Sequence, residues 1–493
     1  LIDYYLIAPQ IIVAGFAVAV ILLDLVLPRK GVLAGVSIIG LLGALAVTVA
    51  LWGRPENENT LFNGMLRIDE LAVFFGFLFC GVAVLVILAS RDYVSKFARF
   101  QGEYYALILL SVAGMMMMAA ARNLITIYVS LELVSMSLYA LAAFLKDRKS
   151  SEAGLKYLLL GGIASAVLVY GMALIFGISG ETGLDGIYNY LVAEGLGLDN
   201  GLLLLAVVFL IAGLGFKIAT IPFQMWVPDV YEGAPTPVTA YLSVASKAVG
   251  FVVILRVFLV GFADPALVPD WAMIFAVLAA ISMTLGNVVA IAQSNIKRML
   301  GYSSIAQAGY LMVGLAAVTR VEEVGDPALF GPTGLLFFIG CYALANLGVF
   351  IAVIAITNKI NSDEIKDFTG IGLRAPLVAL AMTLCLVSLT GLPPTAGFLA
   401  KFYLFNAAVQ HGLAWLVVIA VINTAISAYY YFRVVKVTWF GMPASQEGVP
   451  SSWALRGALA IACVGVLVLF FYPSGVLDIA RDAAQAVAAN VLP

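Results

Sequence analysis

From Leu6 to Tyr472 the chain is a succession of apolar windows, most of them near the 20 residues needed to cross about 30 Å of hydrocarbon, parted by short polar interruptions. Of its 493 residues 63% are hydrophobic and only 11% charged, with a mean hydropathy of +1.07, so a water-soluble packing would leave almost nothing polar to cover its surface. In lipid each window must satisfy its own backbone polar groups, which makes the windows helices. In order they lie near 6–27, 31–52, 68–90, 103–121, 123–145 and 152–178, then a broken seventh, 235–260, 269–293, 296–318, 331–357, a broken twelfth within 370–410, 411–440 and 451–472. This predicts an all-α polytopic membrane protein of about fourteen spans. The first window lacks the small-residue cleavage site of a secretory signal and reads as a mature helix. Residues 179–200 read as a polar loop, and the Ala-rich stretch after Pro473 as an amphipathic interfacial helix.

Two windows are interrupted in a way that calls for explanation. The stretch 213–239, GLGFKIATIPFQMWVPDVYEGAPTPVT, carries Lys217 and then breaks at Pro222, where the ring removes a backbone donor and clashes with the preceding turn. LTGLPPTAGFLAK, 389–401, repeats the pattern with Pro393, Pro394 and Lys401. Broken helix at membrane depth is tolerated only inside protein or beside a wet cavity, and two such segments in corresponding halves of a chain point to a transport path between internal repeats.

Charges in the windows are few. Glu132 shares one face of the fifth window with Tyr128, Ser135 and Tyr139, and the same helical spacing aligns Thr236, Thr239, Ser243 and Lys247 on the eighth. Ser303, Gln307 and Tyr310 align on the tenth, and Asn423, Ser427 and Tyr430 on the thirteenth. Polar stripes on separate helices are what a hydrated path across the bilayer requires. Lys156, near the end of its window, reads equally as a relay member or as a side chain snorkelling to the headgroups, and Arg256 reads as an interfacial anchor. For Lys217, Lys247, Lys401 and Glu132 the bland alternative is a structural ion pair, which seldom recovers its desolvation cost. Runs such as Met115–Met118 read as packing, and Gly161 and Gly162 as close helix contact. Burial disfavours a lysine's charged form and a nearby carboxylate favours it. At an effective dielectric of about 20 a pair about 4 Å apart is worth about 4 kcal/mol, against about 3.5 kcal/mol to move one charge across about 150 mV. A changing distance between Glu132 and Lys217 would thus switch a proton on and off the lysine.

Several chemistries are excluded or disfavoured. Cys80, Cys341, Cys385 and Cys463 are scattered through apolar windows with no metal-binding spacing, which argues against iron–sulfur ligation and a disulfide framework. His411 is the one histidine, so this chain alone cannot supply two histidine ligands to a haem. No basic cluster suits nucleic acid. Loops after odd-numbered spans carry Arg29 and Lys30; Arg91, Lys96 and Arg99; Lys146, Arg148 and Lys149; Lys297 and Arg298; Lys359, Lys366 and Arg374; and Arg433, Lys436 and Arg456. Loops after even-numbered spans and the tail carry only Arg54, Arg67, Arg122, Arg320 and Arg481, which places both termini on the outer side.

PDVYEGAPTPVTA at 228–240, the lysine of YLSVASKAVGF at Lys247, IKRMLGYSSIAQAGY at 296–310 and GLPPTAGFLAKF at 391–402 together resemble the antiporter-like membrane subunits of proton-pumping NADH:quinone oxidoreductase, respiratory complex I. Within that family the likeness covers nearly the whole chain and is nearer to the N subunits than to the L and M subunits or the multi-subunit sodium/proton antiporters. It implies fourteen helices with discontinuous helices 7 and 12, divided as an N-terminal three-helix segment (1–102), two inverted five-helix repeats (103–260 and 261–440), and a fourteenth helix with the amphipathic tail (441–493). It implies a relay through Glu132, Lys156, Lys217, Lys247 and Lys401, with Lys217 central, tuned by Glu132, and Lys247 passing protons toward Lys401. Tyr128, Gln224, Ser243, Ser303, Gln307, Tyr310 and Ser427 would line it. Gln224 and Gln307 stand where the family often has histidine; glutamine holds a water and does not titrate. The chain would bind no cofactor, leaving flavin, iron–sulfur clusters and quinone to partner subunits. Its neighbours would be subunit M, the small K- and J-type membrane subunits, the peripheral NADH-oxidising arm indirectly, and lipid, in a bacterial cell membrane rather than a thylakoid. The competing expectations are a subunit of a cation/proton antiporter without a redox partner, and a stand-alone solute carrier whose breaks bind an anionic substrate.

Overall fold

A computed structural model describes residues 4–28, 30–53, 59–95, 100–318, 331–443 and 447–488. Arg29, Lys96, Arg99, Arg54 and Arg320 of the loop-charge pattern lie outside the described residues. Twelve described helices are long and apolar enough to cross a membrane. Ile296–Ala316, at 21 residues, and the broken pair Pro376–Thr390 and Ala396–Gln410 complete the fourteen spans that the windows predict.

Helix starts follow local chemistry. Asp69, Asn123, Asp147, Asn200, Asn295 and Ser452 each cap a span by accepting a backbone N–H of its first turn, as short polar side chains do at a helix N-terminus. The seventh span is Gly201–Ile218 followed by Trp226–Gly233. The eighth, Thr236–Gly261, is not one α-helix: it contains π turns at Leu242–Ser246 and Val257–Gly261, which no sequence pattern announced. The loop predicted at 179–200 holds a helix, Leu184–Glu194, and a two-stranded hairpin, Thr60–Leu61 with Leu66–Arg67, is a small departure from all-α structure.

The centre of the molecule is the eighth span, buried along its whole apolar window, and the eleventh, Gly331–Ile360, buried over 89% of it. The other helices wrap this pair. The ninth, Val268–Ile291, and the tenth lie so close that a side chain at Gly286 would meet the Ala306 amide nitrogen at 2.7 Å, the small-residue contact typical of membrane helices. The tail helix Ser474–Val487 buries Ala480, Ala483, Ala484 and Val487 and packs on the third and eleventh spans. At 14 residues it is too short to be a fifteenth span.

Arg256 requires a correction. It is no interfacial anchor: fully buried, it makes a two-point contact with Asp69 at 2.5 Å, with Nε and Nη2 also donating to the Ala119 carbonyl at 2.9 and 2.8 Å. Its five donors in a fixed fork suit this arrangement, which joins the cap of the third span to the end of the fourth and to the eighth. Removing one partner of a buried pair strands a charge. Asp69→Asn is therefore expected to destabilise the folded protein by about 3–5 kcal/mol, with the Asp69→Leu/Arg256→Met double variant recovering most of the loss; thermal melting in detergent checks both.

Candidate functional site

At both breaks the helix ends on a residue in left-handed conformation, Ala219 with φ 63° and Gly391 with φ 87°, and each connection contains a cis X–Pro bond, Ile221–Pro222 and Pro393–Pro394. The left-handed form costs a non-glycine residue about 1–2 kcal/mol, so Ala219 is held there by its surroundings. Partners for the freed backbone come from neighbouring spans and from the other half of the same span. The Trp226 indole donates to the Phe216 carbonyl at 2.9 Å, and Ser282 of the ninth span accepts from the Ile221 N–H at 3.0 Å. At the second break Gln307 donates to the Leu389 carbonyl at 3.0 Å and Ser388 accepts from the Gly397 N–H at 3.2 Å.

Three of the predicted relay lysines are buried beside these breaks: Lys217 is 3%, Lys247 2% and Lys401 3% exposed. Lys217 donates to Ser135 Oγ at 2.7 Å, and Ser135 lies one helical turn from Glu132. Glu132 is half-buried and accepts from Ser165 Oγ at 2.5 Å. Ser135 in turn donates to the Leu131 carbonyl at 2.6 Å, so among the described residues no hydrogen bond joins Glu132 to Lys217. On the eighth span, beyond Lys247, Gly250 has no side chain and leaves room for Ile218 and the Lys217 Cβ.

A chain of hydroxyls and amides leads onward from the eighth span. Asn346 donates to Ser243 Oγ at 2.5 Å and Tyr342 to the Ser243 carbonyl at 3.1 Å; Tyr342 Oη lies 3.1 Å from Ser304 Oγ. On the tenth span Ser303 bonds Tyr431, and Gln307 reaches the same phenol at 3.4 Å. One turn on, the Tyr310 ring lies 4.2 Å beneath the Lys401 ammonium, which donates to the Thr390 carbonyl at 2.9 Å and to Thr424 at 3.3 Å. Asn287 ties this end together, donating to Asn423 at 3.2 Å and accepting from Tyr430 at 2.9 Å.

Not every predicted residue joins the row. Lys156 has 42% of its side chain exposed and pairs with Asp229 and Glu152 at 2.7 and 2.8 Å, while Arg298 holds the other Asp229 oxygen at 2.7 Å. It sits in a half-exposed charged cluster with Glu152, Asp229 and Arg298. Ser427 is buried but bonds its own backbone at Thr424, Tyr128 is half-buried, and Gln224 lies in the first break with its buried Oε1 unpaired. Pro222, Pro393 and Pro394 lie at the breaks as predicted, with exposed side chains. His411 caps the second half of the broken twelfth span, its Nδ1 at 2.7 Å from the Ala407 carbonyl. Sequence reading missed Asn287, Ser304, Tyr342, Asn346 and Tyr431; for the asparagines the available signal was an amide in the middle of an apolar window.

A family model described as NADH:quinone oxidoreductase/Mrp antiporter, TM, matches residues 121–427. NADH-quinone oxidoreductase subunit N of Dehalococcoides mccartyi is 50% identical over 97% of this chain and 99% of its own, and the protein of the same name from Desulforamulus reducens is 42% identical over 98% of each. A chain of respiratory complex I from Thermus thermophilus superposes with a TM-score of 0.79 at 34% identity, covering 96% of this chain and 99% of that one. A chain of the Mrp complex from Dietzia sp., at 20% identity and a TM-score of 0.84, shares the fold over 98% of this chain and 97% of its own. Gln307 offers a local test: Gln307→Leu leaves the Leu389 carbonyl unpaired in a buried site and should cost about 1–3 kcal/mol in detergent melts, whereas Gln307→His, which keeps a ring donor, should retain most of the stability.

Proposed function

Because the chain belongs to the NADH:quinone oxidoreductase/Mrp antiporter transmembrane family, we propose that it is the N-type membrane subunit of an NADH:quinone oxidoreductase, moving protons while redox chemistry proceeds on other subunits. The observation that carries this reading is the burial of Lys217, Lys247 and Lys401, with clusters of side-chain hydroxyls and amides lying between two broken helices. Lysine suits the work because its ammonium can give up a proton when buried, as a guanidinium cannot. Glu132, one helical turn from Ser135, adjusts the hold of Lys217 on its proton by its charge, and water beside Lys247 and Gln224 completes the connections that side chains leave open. The cluster of Lys156, Glu152, Asp229 and Arg298 stands at the mouth of this path. The two repeats are 103–260 and 261–440, and flavin, iron–sulfur clusters and quinone belong to partner subunits.

The partners are other membrane subunits of the same complex. The side chains of Pro222, Met225, Leu392, Pro393 and Pro394 at both breaks are exposed in the single chain, yet irregular backbone is not tolerated against lipid. Glu132 is likewise half-buried on a helix whose Ile125, Val129, Leu133 and Met136 are exposed. These surfaces require protein neighbours, for which subunit M and the small K- and J-type subunits are the candidates. The distribution of basic loops supports both termini facing outward, and the bacterial relatives support a bacterial cell membrane.

A native gel of gently solubilised membranes, stained for NADH dehydrogenase activity, tests the assignment. Comigration with flavin and iron–sulfur subunits is expected; migration in a smaller, purely membrane assembly without that activity would transfer the assignment to a cation/proton antiporter. In inverted vesicles Lys217→Ala should assemble normally but reduce NADH-driven proton uptake to a small fraction. Pumping unchanged in that variant would leave the chain only a scaffold role.

A further inference from the structure

Lys247 differs from Lys217 and Lys401 in having no bond of its own to fix its direction. Lys217 donates to Ser135, and Lys401 to Thr390 and Thr424, but among the described residues the buried Lys247 side chain makes no hydrogen bond or ion pair. Its direction is therefore set by the backbone beneath it, and that backbone is unusual. Lys247 directly follows the π turn Leu242–Ser246 and begins the α segment Lys247–Arg256. At 3.6 residues per turn, one residue more or less in that turn swings the lysine by about 100° around the helix axis.

A π turn carries one residue too many for the α pattern and leaves a carbonyl to be satisfied from outside the helix. Here the Ser243 carbonyl accepts from Tyr342 Oη at 3.1 Å, and Ser243 Oγ accepts from Asn346 at 2.5 Å while donating to the Ala240 carbonyl at 2.7 Å. A phenol or hydroxyl has one proton to give. With that of Tyr342 committed to Ser243, Ser304 donates to Tyr342 at 3.1 Å and Tyr231 donates to Ser304 at 3.3 Å. Both runs of donors end on a backbone carbonyl, of Ser243 in one case and of Ala240 in the other, and a carbonyl has no proton to hand on. The arrangement is suited to fixing the turn rather than conducting through it.

We propose that Tyr342 and Asn346 of the eleventh span are positioning residues for Lys247: by holding Ser243 they keep the π turn in place and so decide where the lysine side chain begins. The opposite end of the same α segment is pinned by Arg256 to Asp69 and the Ala119 carbonyl. Tyr231 belongs to the half-helix Trp226–Gly233, so these bonds also tie the first break to the turn beneath Lys247. The inference rests on the reading of Lys247 as a proton carrier.

The test uses the assembled complex carrying Tyr342→Phe and Asn346→Leu together, substitutions that nearly conserve volume. Its cryo-EM map should show residues 242–246 rearranged and the Lys247 ammonium moved from its wild-type place. In inverted vesicles each single variant should lower NADH-driven proton uptake about fivefold, the factor carried by about 1 kcal/mol. An unmoved turn and lysine in the map overturn the proposal, and a fall in uptake without movement would assign the pair some other part in transfer. Should the double variant fail to assemble, Tyr342→Phe, which removes a single oxygen, is read by the same map. Lys217→Ala keeps the two claims apart. Full uptake in that variant beside a displaced Lys247 would remove the pumping reading and leave the geometric one standing, whereas lost uptake beside an unmoved Lys247 would do the reverse.

Discussion

Hydrocarbon offers no partner to a free N–H or C=O, and the organisation of this molecule follows from that constraint. Breaking two spans releases backbone groups at membrane depth, and each must be met by a side chain from elsewhere. Trp226 and Ser282 answer the first break; Gln307 and Ser388 answer the second. Polar residues of the ninth and tenth spans, Ser282 and Gln307, therefore converge on the breaks for structural reasons. Once there, they join the hydrogen-bonded clusters beside the buried lysines: Gln307 holds the Leu389 carbonyl and also reaches the Tyr431 phenol at 3.4 Å.

The buried cations divide by chemistry. Arg256 is locked in a two-point pair with Asp69, and a guanidinium stays charged, so this pair fixes three spans in place and carries nothing. Lys297 is buried too and pairs with Asp363 at 3.3 Å, but two lysines at the breaks are held differently. Lys217 has a serine, and Lys401 a carbonyl, a threonine and a tyrosine ring, without a carboxylate in contact among the described residues. Dipoles can hold an ammonium or accommodate the neutral amine by small rotations, whereas a contact carboxylate would commit the site to one charge. At an effective dielectric of about 20, moving a carboxylate from about 8 Å to about 4 Å changes the interaction by about 2 kcal/mol, so a carboxylate near Lys217 but outside direct contact leaves a useful range for adjustment.

The breaks and the buried lysines were legible in the sequence because proline and lysine are both rare in apolar windows and each has a strong physical consequence there. The polar stripes on the tenth and thirteenth helices were legible from their spacing. The contacts between helices were not: nothing in the order of residues says that Ser135 takes the Lys217 ammonium, or that Asp229 draws Lys156 away from the buried lysines. Arg256 was misread because its partner, Asp69, is far away in the chain and sits at a helix cap. The π turns around Lys247 escaped because a one-residue bulge scarcely alters the apolar pattern that marks a helix.

The two breaks are alike in backbone but opposite in charge. Asp229 follows Pro222 at the same separation in sequence as Lys401 follows Pro394. Lys401 faces into the buried network, while Asp229 reaches outward to Lys156 of the sixth span and Arg298 of the tenth, clamping the half-helix Trp226–Gly233 between them. Ion pairs as accessible as these are worth about 0–1 kcal/mol each. Such a clamp positions the half-helix without freezing it, and thermal motion is enough to release it. The second half-helix, Ala396–Gln410, has no such external tie at Lys401; its lysine is held from within by Thr390, Thr424 and Tyr310. One break is thus steered by charges at the water-facing end of the path and the other by dipoles inside it, an asymmetry that gives the ends of an otherwise repeated structure different sensitivities to their surroundings.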